Sequence, residues 1–268
     1  MLTLSGISYR YAGASSQAVR GLDLELANGQ VIGLAGASES GKSTVCLIAG
    51  GLAPRTIRGT LRGTLLLDGL DVNAAPMHVL AASIGICFQD PAAQLSGVCA
   101  SVFEEVAFTP MNLGVPRDEV IERTYGALAS MGIEALAARD PARLSGGQMQ
   151  LVAIAGLLAM RPRHLVLDEP TAQLDPAGTA LVGAAIAKLA SDGASILIAE
   201  QKTDLLARVC SRVLVLDAGR IVLDGQPEDV LGDRRLADLG VPVPSAVRLR
   251  RALDEAGLIV SIPPELVA

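Results

Sequence analysis

The sequence predicts an α/β fold: a mainly parallel sheet core joined to an antiparallel β subdomain, an inserted helical subdomain and a small C-terminal extension. Three observations predict it. The apolar run Val31-Ile-Gly-Leu-Ala35 passes through a glycine-bounded loop into the helix-like Ser43-Thr-Val-Cys-Leu-Ile-Ala49, giving strand, loop and helix in succession. A second apolar run, Leu165-Val-Leu, closes on Asp168, Glu169 and Pro170, as expected of a buried parallel strand that delivers carboxylates to the ligand side of an open sheet. Before it stands Leu144-Ser145-Gly146-Gly147-Gln148, which places a hydroxyl and two glycine amides at the start of a predicted helix, Gln148 to Ala159.

The remaining elements follow in order. Leu22-Asp-Leu-Glu-Leu26 alternates strictly, as a half-buried antiparallel strand does, and Gly63-Thr-Leu-Leu-Leu67 runs into an Asp68-Gly69 turn, so both belong to the β subdomain. A core strand returns from Ile84 to Phe88. From about residue 96 to 160 the pattern is helical, with Glu104, Glu105, Asp118, Glu119 and Glu122 expected on solvated faces. Pro176 to Ala190 reads as a helix with proline at its start, Ser195 to Ala199 as a buried strand, and Arg212 to Asp217 with Ile221 to Leu223 as a hairpin around Ala218-Gly219. Residues 1–225 form the expected main domain. Residues 226–268 form the extension, in which Pro242, Pro244, Pro263 and Pro264 punctuate one helix-like segment, Ala246 to Ala256.

The loop spells Gly36-Ala37-Ser38-Glu39-Ser40-Gly41-Lys42-Ser43-Thr44, a glycine, four residues, then Gly-Lys-Ser, which is the phosphate-loop pattern. Its backbone N–H groups and the positive end of the next helix make a concave anion site. Lys42 is expected to reach the terminal phosphates of ATP, and the Ser43 hydroxyl to bind Mg²⁺ together with Asp168. Glu169 is then placed to position or deprotonate the attacking water for in-line displacement, where catalysis is mostly alignment and charge stabilisation.

Composition bounds the alternatives. The chain has 268 residues, is 50% hydrophobic but only 2% aromatic, and contains no tryptophan, so its core is aliphatic. A net charge of −6 leaves no basic surplus for nucleic acid phosphates, and no nucleic-acid partner is expected. The mean hydropathy is +0.44. The longest strongly apolar stretch, Leu151 to Met160, is nonetheless about half of the ~20 residues a membrane-spanning helix needs. The first ten residues lack a basic start followed by an apolar core, so a cytosolic location is expected. Cys46, Cys87, Cys99 and Cys210 show no metal-ligand or disulfide spacing and read as buried free thiols; His78, in a polar connector, and His164 read as structural or surface residues.

Together the phosphate loop, Leu144 to Gln148 and the Asp168-Glu169 strand resemble the nucleotide-binding subunit of ABC transporters, a P-loop NTPase fold. In that family the segment matching Leu144 to Gln148 contacts the γ-phosphate held by an opposite subunit, so two chains enclose two nucleotides. The resemblance implies further roles. Tyr11 is similar to the aromatic that stacks on adenine, Gln89 to the glutamine that senses magnesium and the membrane partner, and Asp175 in Ala172-Gln-Leu-Asp175 to the loop at the dimer interface.

The resemblance is closer still to the ATPase component of energy-coupling factor (ECF) transporters, which import vitamins or metal ions. Phe88-Gln-Asp-Pro-Ala-Ala-Gln94-Leu95, Val102 to Phe108 leading to Asn112-Leu-Gly114, and the tail from Leu239 to Gly257 carry it. It implies a second ABC ATPase subunit, identical or different, a membrane coupling subunit received near Gln89, a separate membrane subunit that binds the cargo, a peripheral position on the cytoplasmic face of the membrane, and a tail that helps hold two ATPase subunits together. Acidic residues near Gln89, such as Asp90, Glu104 and Glu105, are available to pair with a basic residue of the coupling subunit.

Three positions depart from that family. Where a histidine usually follows the strand Ser195 to Ala199, this chain reads Glu200-Gln201-Lys202, and neither of its two histidines aligns there. Gln201 is the expected substitute: its amide donates a hydrogen bond but carries no positive charge. Glu39 stands at a usual glycine, its carboxylate expected to face solvent, and Leu151 stands at a usual arginine. Two readings of Gln201 stay open: a slow site that pairs with a competent one on a different subunit, or a glutamine that suffices in a homodimer. A soluble ABC ATPase of repair or translation is the alternative class, disfavoured by the roughly hundred-residue gap between Lys42 and Leu144, which leaves no room for a long coiled coil. A regulatory subunit with little hydrolysis is a third.

Overall fold

The computed structural model describes residues 1–256. Two sheets make up the body. The first is antiparallel, in the order β2-β1-β4-β5, formed by β1 (Leu2–Tyr11), β2 (Val19–Leu26), β4 (Gly59–Leu67) and the short β5 (Leu70–Asp71). Burial in β2 alternates as its sequence requires, and β4 and β5 turn at Asp68 and Gly69, whose φ values of 49° and 83° suit a tight hairpin. The strand predicted from Gly63 begins four residues earlier.

The second sheet has the order β10-β9-β3-β8-β7-β6, built from β3 (Val31–Ala35), β6 (Ile84–Cys87), β7 (His164–Asp168), β8 (Ser195–Ala199), β9 (Arg212–Asp217) and β10 (Arg220–Gly225). All pairings are parallel except the β9–β10 hairpin, which turns at Ala218 and Gly219, again with positive φ. β3, β7 and β8 are buried along their whole length, which is why they read as continuous apolar runs. Successive residues nonetheless face two different cores. Leu165, Leu167, Ile196 and Ile198 join the core under the helices, whereas Val166, Leu197, Ile32 and Leu34 join the one shared with the antiparallel sheet.

Helices fill the other layers: α1 (Lys42–Ala49), α2 (Met77–Ser83), α3 (Val102–Asn112), α4 (Arg117–Ser130), α5 (Gly146–Met160), α6 (Pro176–Ser191), α7 (Thr203–Val209), α8 (Pro227–Leu231) and α9 (Ser245–Glu255). α3, α4 and α5 form the inserted helical unit, with Val102, Val106, Leu128, Val152 and Ala155 buried among them. α9 occupies the segment predicted from Ala246 to Ala256; Ser245 is held to Asp204 of α7 through its N–H (2.7 Å) and hydroxyl (3.1 Å). Pro263, Pro264 and Gly257 lie outside the described residues.

Several expectations are corrected. α5 starts two residues before Gln148, because Ser145 and Gln148 form a reciprocal capping box that pulls both glycines into the first turn. Glu105 is not solvated: it is half-buried and accepts from the N–H (2.6 Å) and hydroxyl (2.7 Å) of Ser96. His78 sits on α2 and not in a connector. Cys46 and Cys87 are buried, but Cys99 and Cys210 are only partly so. His164 is buried and bonds Asp68 at 3.0 Å, tying the parallel sheet to the β4–β5 turn. Among the described residues no helix is long and apolar enough to cross a membrane.

Candidate active site

The strand order places four chain segments side by side at the carboxyl ends of neighbouring strands. β3 runs into the phosphate loop, β7 into Asp168 and Glu169, β8 into Glu200 and Gln201, and β6 into Phe88 and Gln89. Asp168 and Ala199 are in register, and the Glu169 N–H donates to the Ala199 carbonyl at 2.8 Å, so the residues after β7 and β8 emerge together.

They border a cavity of about 380 Å³, lined by Tyr11, Ala18, residues 38–44, Gln89, Glu169 and Gln201. The loop's backbone shape is demanding. Gly36 has φ 154° and Gly41 φ 108°; a β-carbon on Gly36 would lie 2.5 Å from the Leu216 carbonyl, and one on Gly41 2.7 Å from that of Ala18. No side chain caps α1, which begins at Lys42, so its first-turn amides are left for an anion. Lys42 is buried and folds back on the loop, donating to the carbonyls of Gly36 (2.8 Å) and Ala37 (2.9 Å). Burial lowers its pKa, and the nearby Glu169 and Asp168 oppose that shift.

Ser43 donates to Asp168 at 3.0 Å. Burial raises the pKa of Asp168, while this hydrogen bond and Lys42 pull the other way. A hydroxyl and a carboxylate meeting at a strand end beside an anion cradle are the hard oxygen donors Mg²⁺ takes, and the pair fits that ion.

Glu169 sits next to them, buried, with a left-handed backbone at φ 49°. Its carboxylate accepts from two amides, Gln89 Nε2 at 3.0 Å and Gln201 Nε2 at 2.6 Å. Gln201, which the resemblance implies as the substitute for a histidine, here makes its contact with the Glu169 carboxylate. Gln89, expected to sense magnesium, makes its contact with Glu169. Tyr11 shares a 2.9 Å hydrogen bond with Thr44 and stands edge-on to Tyr9 at 5.0 Å, lining one wall.

Glu39 adopts φ 63°, the left-handed conformation its usual glycine supplies without cost, and its side chain is exposed at the cavity's rim. Glu39→Gly is expected to relieve about 1 kcal/mol of backbone strain and to tighten ATP binding by only a few fold, because the exposed carboxylate is screened. Thermal unfolding and nucleotide titration of the pair of proteins measure both effects.

Ser145, Gly146, Gly147, Gln148 and Asp175 are not in this cavity. Ser145 and Asp175 are exposed loop ends that cap α5 and α6; Asp175 accepts from the Gly178 N–H at 2.7 Å. The two segments touch each other: a β-carbon on Gly146 would meet the side-chain oxygen of the exposed Gln173 at 2.0 Å, a flexible end that can swing aside. One chain thus presents a phosphate cradle and, apart from it, a second helix terminus aimed outward. Sequence reading missed Gln173 at this junction and Ala18 at the cavity wall, and an alanine carries no signal of that role.

This combination of cradle, strand-end carboxylates and a separate outward signature helix defines an ATP-binding cassette ATPase. The sequence description of the ABC transporter family matches residues 19–172, and the chain belongs to that family. Among curated relatives, the energy-coupling factor transporter ATP-binding protein EcfA1 of Ligilactobacillus salivarius is 36% identical, covering 98% of this chain and 90% of the relative. EcfA of Methanosarcina acetivorans is 36% identical over 97% of this chain and 92% of its own length. Among solved structures, cbiO1 from Clostridium perfringens, described as part of the ABC transporter complex cbiONQ, aligns with a TM-score of 0.75 at 32% identity, covering 93% of this chain and 98% of that one.

Proposed function

We propose that this chain is the ATPase component of an ECF-type importer of a vitamin or metal ion, seated peripherally on the cytoplasmic face of the membrane. It works with a second ABC ATPase subunit, a membrane coupling subunit and a membrane subunit that binds the cargo. Near full-length similarity to two ECF ATP-binding proteins supports the transporter type. The separation of the outward segments around Ser145 and Asp175 from the chain's own cradle supports the need for a second subunit.

In the proposed cycle the loop amides and Lys42 hold the triphosphate, and Ser43 and Asp168 would hold Mg²⁺, which supplies charge neutralisation on the phosphates. The Tyr11 ring receives adenine. Glu169 takes the role of aligning or deprotonating the attacking water, and Gln89 and Gln201 fix its two oxygens. The partner's equivalents of Ser145, Gly146, Gly147 and Gln148 close over the γ-phosphate, while this chain's own do so for the partner.

The observation that carries the finer reading is the 2.6 Å bond from Gln201 to Glu169. A neutral amide at that place can orient the carboxylate but adds no positive charge for the transition state, so hydrolysis at this site is weakened and the partner's site does most of the work. Gln201→His is expected to raise turnover at this chain's own site by about tenfold, the low end of general acid–base and electrostatic effects, and so to raise that of the assembled complex by up to about twofold. An unchanged or lower rate overturns the weakened site. Tagging the chain, extracting it from detergent-solubilised membranes and identifying what accompanies it tests the whole reading: a polytopic membrane subunit and a histidine-bearing ATPase are expected, and a soluble-only complex overturns it.

A further inference from the structure

Two charged residues that flank Gln201 have no part in the site so far. Glu200 is 2% exposed, yet its carboxylate is fully engaged. One oxygen accepts from the hydroxyl of the buried Thr171 at 2.6 Å, and the other from the N–H groups of Gln201 (2.8 Å) and Lys202 (3.1 Å). Lys202 spends all three of its ammonium donors in the opposite direction, on the carbonyls of Thr171 (2.7 Å) and Leu174 (3.0 Å) and the hydroxyl of Thr179 (3.0 Å).

These acceptors bracket one short stretch of chain. Thr171 and Leu174 flank the two exposed residues Ala172 and Gln173, Asp175 follows as the cap of α6, and Thr179 lies at the end of that helix's first turn. An ammonium beside a helix N-terminus faces the unfavourable end of its dipole, so the location is explained by the carbonyls it gathers and not by a general electrostatic benefit. The same loop begins at Glu169, to which Gln201 donates. The turn at 200–202 therefore grips the loop at 169–175 and the first turn of α6: Gln201 on Glu169, Glu200 on Thr171, and Lys202 on Thr171, Leu174 and, in α6, Thr179.

We infer that Lys202, seconded by Glu200, is a positioning residue that makes the turn bearing Gln201 and the loop at 171–175 move as one piece, so that a second subunit seated on the exposed loop holds Gln201 in the place against Glu169 that the single chain already gives it. This rests on the proposed role of Glu169 and on the loop lying at the subunit interface. Assembly is thereby transmitted to the hydrolytic acid through main-chain carbonyls held by one side chain. Coupling of this kind is demanding because small misplacements at a reacting centre cost much rate.

The test uses the assembled complex with the partner subunit's own nucleotide site silenced, so that only this chain's site turns over, and with Lys202→Met in this chain, which keeps the length and apolar stem of the side chain but removes every donor. Turnover is expected to fall about tenfold with the KM for ATP within about twofold of the original. Hydrogen exchange is expected to accelerate at 171–175 with the rest of the cassette unchanged. Lys202→Arg should recover part of the rate, since a guanidinium still reaches carbonyls in a different fork. Thr179→Val, which deletes one acceptor and keeps the lysine, should lower turnover a few fold at unchanged KM, and it decides the matter if Lys202→Met does not fold. Turnover and exchange like the original in Lys202→Met or Thr179→Val overturn the inference, as does a KM that rises in step with the loss of rate. Failure of the underlying site reading would show separately, in retained turnover of Glu169→Gln when the partner's site is silenced.

Discussion

Replacing Glu169 by glutamine is expected to lower ATP turnover at this chain's own site, measured with the partner's site silenced, by about 10²- to 10⁴-fold, the range lost when a positioned proton acceptor is removed. The change is nearly isosteric, so the backbone at φ 49° and the bonds around Thr171 are retained. What disappears is the negative charge of the carboxylate that accepts from Gln89 and Gln201, the group proposed to align the attacking water. Because none of these groups holds the phosphates, ATP affinity should stay within about threefold, and the loss falls on kcat alone. Steady-state turnover beside equilibrium nucleotide titration separates the two. Retained turnover would remove Glu169 from the chemistry.

Lys42→Ala carries the second large effect, this time on binding. In the free chain the ammonium is buried and satisfied by the carbonyls of Gly36 and Ala37, so the loop is held in a tight curl before any nucleotide arrives. Exchanging those neutral carbonyls for charged phosphate oxygens turns ion–dipole bonds into ion-paired ones, hydrogen bonds to charged groups being worth about 1.5–3 kcal/mol each. Removing the amine should therefore weaken ATP binding by about a hundredfold, roughly 3 kcal/mol, and titration with a fluorescent ATP analogue measures it. Equal binding by the two proteins would mean that the triphosphate lies elsewhere.

Much of this arrangement was legible before any coordinates. Continuous apolar runs gave β3, β7 and β8 because a strand covered on both faces has no reason to alternate, and glycine and proline punctuation placed the loop and α6. The phosphate loop was legible because the chemistry is local: amides, lysine and hydroxyl all come from nine consecutive residues. The surroundings of Glu169 were not, since Gln89 and Gln201 reach it from 80 and 32 positions away and only sheet order brings them together. Glu105 defeated its charge pattern for a similar reason. A helical wheel shows a polar face but cannot show that Ser96 folds over it. Sequence puts the start of α5 at Gln148 because two glycines seldom open a helix, but Ser145 is the cap and Gln148, in the first turn, bonds back to its N–H.

The wall formed by Tyr9, Tyr11 and Thr44 has one more consequence, which is optical. The chain has no tryptophan and three tyrosines, of which Tyr9 is buried in the core and Tyr125 lies on the helical unit, leaving Tyr11 as the tyrosine that lines the nucleotide cavity. Its ring is already oriented, hydroxyl tethered to Thr44 and T-shaped against Tyr9, so a purine bound beside it, as proposed, would perturb a chromophore whose starting geometry is fixed. A single indole introduced there by Tyr11→Trp would be the protein's sole long-wavelength emitter, a lamp set in the wall of the site it illuminates.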